Sequence, residues 1–104
     1  MSKKGDIEQL TNLMSISLRH KIGSLVNDDE LYAAKYAKDA ESIMMEAEKV
    51  INRHSWNLYD KEEIKEKLKR KLKKELEEKD FLDNRKFEIM DEEMNKALGG
   101  FGIG

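Results

Sequence analysis

Between Ala33 and Ile51, apolar residues recur in alternating steps of four and three, through Ala37, Ala40, Met44 and Ala47. That spacing holds side chains on one face of an α-helix, whose turn takes roughly 3.6 residues. Tyr36, Ile43 and Val50 widen the face, and the segment reads as a helix over about Asp28 to Arg53. The chain contains no proline, so nothing interrupts long helices.

The same period recurs elsewhere. Ile7, Leu10, Met14, Leu18 and Leu25, broadened by Leu13, Ile22 and Val26, predict a helix over about Ile7 to Val26, with Gly23 weakening its last turn. Ile64, Leu68, Leu72 and Leu76 form a narrow stripe over about Lys61 to Asp80. Phe87, Met90, Met94 and Leu98 mark a last helix over about Asn84 to Leu98, with Gly99 placed as its left-handed cap. Lys86 to Met90 (KFEIM) alternates like a strand, but a lone strand has nothing to pair with. Capping-box spacings at Asp6 to Gln9, Asn27 to Glu30 and Asp60 to Glu63 mark expected helix starts.

The expected fold is therefore all-α, a small bundle of three to four antiparallel helices. A single domain over 6–98 is expected between a flexible N-terminus, 1–5, and a flexible Gly-rich tail, 99–104. An alanine seam admits close backbone approach, which puts the second helix at the centre. The narrow leucine stripe puts the third at the edge.

Composition limits the chemistry. The 104 residues are 40% charged and 38% hydrophobic, against about 25% charged in an ordinary domain. So thin a core points to completion by oligomerisation or by a larger complex. The net charge of −2 excludes a globally cationic protein, so any nucleic-acid site is a local patch. There is no cysteine, which excludes disulfides, thiolate metal sites and thiol nucleophiles. The N-terminal MSKKGDIEQL carries no apolar run, so neither a signal segment nor a membrane span is read there and cytoplasm is the expected location.

Candidate sites are few. Neither His20 nor His54 has a carboxylate or imidazole three or four residues away, so no helical metal site or cofactor is expected. The adjacent pairs Arg19-His20 and Arg53-His54 point about 100° apart on a helix, poor geometry for one shared anion. Trp56, in the loop RHSWNLY, either stacks on a base or plugs the end of the bundle. Lys65, Lys67, Lys69, Arg70, Lys71, Lys73 and Lys74 crowd against the one acid Glu66 and form the candidate polyanion-binding segment. These lysines surround the leucine stripe on both sides, and glutamates one turn away offer pairs from Glu63-Lys67 to Lys74-Glu78. Met45, Met90, Phe101 and Ile103 are the candidate partner-binding residues, with Met44 and Met94 as adaptable neighbours. No catalytic constellation emerges. The reading is a non-enzymatic interaction or oligomerisation module, with nucleic-acid association through 65–74 as the alternative.

Overall fold

The computed structural model describes residues 2–27, 29–79 and 84–103. They form four helices: α1 (Lys3–Val26), α2 (Glu30–Ile51), α3 (Leu58–Glu77) and α4 (Arg85–Gly100). The all-α bundle expected from the spacing is what forms, and the KFEIM segment is helical within α4. Asp28, Asp80 and Gly104, expected as segment ends, lie outside the described residues.

The arrangement differs from the expected one. α1 is the hub and packs on all three other helices, whereas α2 packs on α1 alone. α3 packs on both α1 and α4. Its stripe of Ile64, Leu68, Leu72 and Leu76 is fully buried. The second helix is thus peripheral, and the third belongs to the core.

Hydroxyl residues explain the exchange. Thr11, Ser15 and Ser17 of α1 are buried. Thr11 donates to the Ile7 carbonyl at 2.8 Å and Ser15 to that of Asn12 at 2.9 Å. Ser17 reaches across to the Ala40 carbonyl of α2 at 2.6 Å. A hydroxyl bonded to a carbonyl behaves as a small buried group, so α1 can be covered from several sides. Alanine fills less volume, and α2 buries only Ala40, Ala47, Val50 and Ile51.

Helix ends also shift. Ser2 caps α1 by accepting from Gly5 N–H, Asp29 caps α2, and Asn57 forms a reciprocal capping box with Asp60 at the start of α3. Gly23 lies buried inside α1 without ending it. At the other terminus α4 runs past Gly99 to Gly100, and Gly102, with φ of 73°, is the left-handed residue. Ile103 N–H donates to the Leu98 carbonyl and Gly102 N–H to that of Gly99, the pattern of a Schellman motif. It folds the Gly-rich tail back on the bundle and seats Ile103 in the core beside Leu98.

Candidate functional site

α2 leaves α1 partly uncovered. Over 30–39 it buries no residue completely, and it shows Leu31 (84% exposed), Tyr32 and, further along, Met45. Between the two helices runs a groove of about 500 Å³ lined by Ser17, Lys21, Ser24 and Leu25 of α1 and by Ala37, Ala40, Glu41, Met44 and Met45 of α2. The polar groups of its α1 wall are already engaged. Ser17 donates to Ala40, Ser24 to the Lys21 carbonyl, and the Lys21 ammonium lies 2.9 Å from Glu93 Oε1 of α4. Apart from the Glu41 carboxylate, the surface left is methyl, methylene and thioether, which gains from being covered.

The opposite end of α2 is fastened. Asp6 of α1, buried, takes His54 Nε2 at 2.5 Å and Arg53 Nη1 at 3.2 Å, and Arg53 also donates to Gln9. The adjacent pair meets one carboxylate because both residues lie beyond Ile51, outside helical geometry. Hydrogen bonding from His54, followed by the Arg53 charge, outweighs burial and holds the Asp6 carboxyl below its usual range. Trp56 packs edge-on to His54, under the Lys3 ammonium, and its indole N–H donates to the Ile51 carbonyl at 2.7 Å. Its ring is half-buried against the core, so this loop acts as a clamp between α1 and the α2–α3 turn.

The basic segment divides in two. Lys67 and Lys71 turn to α1 and meet Glu8 at 2.7 and 2.8 Å, and Lys71 also donates to the Thr11 hydroxyl. Hydrogen bonds from Lys67 and then Lys71 lower the Glu8 carboxyl from 4.5 to about 2. Of the expected turn-spaced pairs, Glu63-Lys67 forms at 3.4 Å. Lys65 reaches Glu62 only at 3.8 Å. Among the described residues, Lys69, Arg70, Lys73 and Lys74 are exposed and form no ion pair. Lys65 and Lys69 also border a depression of about 350 Å³ against Met94 and Leu98 of α4.

The remaining pair, Arg19 and His20, is joined at 2.9 Å, with Arg19 also bound to Glu75 of α3. Burial, then the Arg19 charge, pushes the His20 imidazole below its ordinary value.

A pH measurement tests the Glu8 bridge. A carboxyl lowered in the folded state stabilises above its unfolded value, and that contribution fades as acid protonates it. Glu8→Gln should therefore be less stable than the parent at neutral pH. The two stability curves should converge between about pH 4.5 and about pH 2. Parallel curves across that window, by urea titration, would remove Glu8 from the account.

The candidate residues are thus not gathered at one place. Met45 lies on the groove, whereas Met90 and Ile103 are buried and Phe101 is half-buried against the core. Trp56 sits in the clamp and is turned inward. Ala37, Leu25 and Glu41 belong to the groove; spacing put Ala37 and Leu25 on the apolar faces of their helices, but none of the three was a candidate site residue. Their signal was the alanine seam itself, which marks a close approach without saying whether it is filled. Among the described residues, no group of three or more His, Cys, Asp or Glu is placed to hold a metal ion, and no helix is long and apolar enough to cross a membrane. Compared with known proteins, the chain matches no family model, no curated protein and no solved structure.

Proposed function

We propose that this chain is a non-enzymatic helical interaction module that receives a partner helix in the groove between α1 and α2. The observation that carries the reading is the alanine seam, which α1 covers at Ala40 and Ala47 and leaves open at Ala37. Ala37 and Met45 are exposed and Met44 is half-buried beside Leu25, and among the described residues no helix besides α1 packs on α2. Alanine lets a helix approach closely, and methionine adapts to what arrives. The groove has walls on two sides only, which suits an extended apolar ridge better than an enclosed small molecule.

The test is site-specific photo-crosslinking in the source cell. A benzophenone side chain at Ala37 or Met45 should give one discrete adduct. The same group at Lys35 or Ser42, exposed on the other flank of α2, should give none. Equal labelling from both flanks would defeat the reading.

A second reading rests on Lys69, Arg70, Lys73 and Lys74, a compact set of exposed cations without ion pairs. It is association with nucleic acid, and it predicts oligonucleotide binding whose log affinity falls steeply with log salt. Sedimentation with an oligonucleotide at low salt showing no complex would end it.

A further inference from the structure

We infer that the occupant of the groove is a basic amphipathic helix of another protein, an inference that rests on the interaction reading above. The argument is one of charge. Glu30, Glu41 and Glu48 are separated by eleven and seven residues, which places them within about 20° of one another around α2. Glu41 lines the groove, and Glu30 and Glu48, both exposed, continue the same line of α2 beyond its two ends. The lysines of α2 stand further round, Lys38 about 20°, Lys49 about 40° and Lys35 about 80° beyond Met45. The one cation in the lining, Lys21, is drawn towards Glu93, which also pairs with Lys96. An apolar floor with an acidic border selects a ridge of aliphatic side chains flanked by lysine or arginine.

A second copy of this chain does not supply that ridge. Pairing α2 with itself sets the acidic stripe against its own copy. The basic helix, α3, has all of Ile64, Leu68, Leu72 and Leu76 at 0% exposure, and its exposed apolar residues, Leu58 and Tyr59, stand together in the first turn and form no ridge along the helix. The acidic border likewise disfavours an anionic lipid surface.

The probe is a fluorescein-labelled model peptide of roughly 18 residues, about five helical turns, with leucine on one face and lysine elsewhere. Its counterpart carries glutamate at every lysine. In anisotropy titrations at about 0.15 M salt, the lysine peptide should bind tighter than the glutamate peptide by about tenfold or more. Ala37→Trp fills the groove without altering charge at an exposed position, and should weaken the lysine peptide by a similar factor. The triple variant Glu30→Lys, Glu41→Lys, Glu48→Lys, its helix content checked by circular dichroism, should invert the preference.

Lysine-peptide binding that survives Ala37→Trp would be non-specific attraction and would overturn the inference. Equal binding of both peptides, lost together on Ala37→Trp, would refute the charge selection while leaving the groove as a docking site. A dimer in sedimentation that Ala37→Trp dissociates would replace the foreign helix with a second copy. No peptide binding together with no crosslink from Met45 would remove both readings.

Discussion

Leu72→Ala is expected to destabilise the fold by about 2–5 kcal/mol, enough to leave a domain of this size close to unfolded, given total stabilities of about 5–15 kcal/mol. Leu72 is at 0% exposure in the single core cluster, together with Leu10, Met14 and Leu18 of α1. Removing its branched end leaves a cavity that a helix held against both α1 and α4 cannot close by moving. Met45→Ala, on the exposed side of α2, should change stability by no more than about 0.5 kcal/mol. Urea unfolding followed by circular dichroism distinguishes the two. Were Met45→Ala the costlier change, α2 and not α3 would be the buried helix.

Ala47→Leu should be the second severe change, at about 1–3 kcal/mol. Ala47 is at 0% exposure where α2 meets α1, and three further carbons there must separate the helices or distort their rotamers. The Ser17–Ala40 hydrogen bond, two turns away on the same contact, would stretch with them. Ala37→Leu places the same side chain ten residues earlier, where Ala37 is exposed, and should be close to neutral. Thermal melting of the pair measures where along α2 the contact with α1 begins. Equal melting temperatures would mean that it is uniform.

The helices themselves were legible because a proline-free chain with repeating three- and four-residue apolar steps has little else to form. Their ranking was not. Spacing counts Thr11, Ser15 and Ser17 as polar, and only the carbonyl each one finds makes it part of a buried face. Helix starts moved for a related reason: Asp6 looks like a cap but is drawn into the bundle by Arg53 and His54, some fifty residues away. The carbonyl-capping glycine was misplaced because Gly99, Gly100 and Gly102 are equally permissive, and the choice falls where Ile103 reaches the core. The basic segment was read correctly as a belt and not one stripe. Its partial neutralisation by Glu8, however, required the neighbouring helix. The groove was visible in outline as the alanine seam, but a seam in one sequence does not reveal whether another element of the same chain lies in it.

The clamp around Asp6 has a mechanical side. α2 is held at its C-terminal end by Val50, Ile51 and the residues converging on Asp6, while its opposite end, with Leu31 and Tyr32, is bare. The bare end is tied to α1 only by the short link between Val26 and Glu30, so moving it would cost the least buried contact. The contact of α2 with α1 is therefore tightest near Ala47 and loosest towards Leu31. At the other end no such freedom exists, because Ala47, Val50 and Ile51 belong to the core that α1, α3 and α4 share.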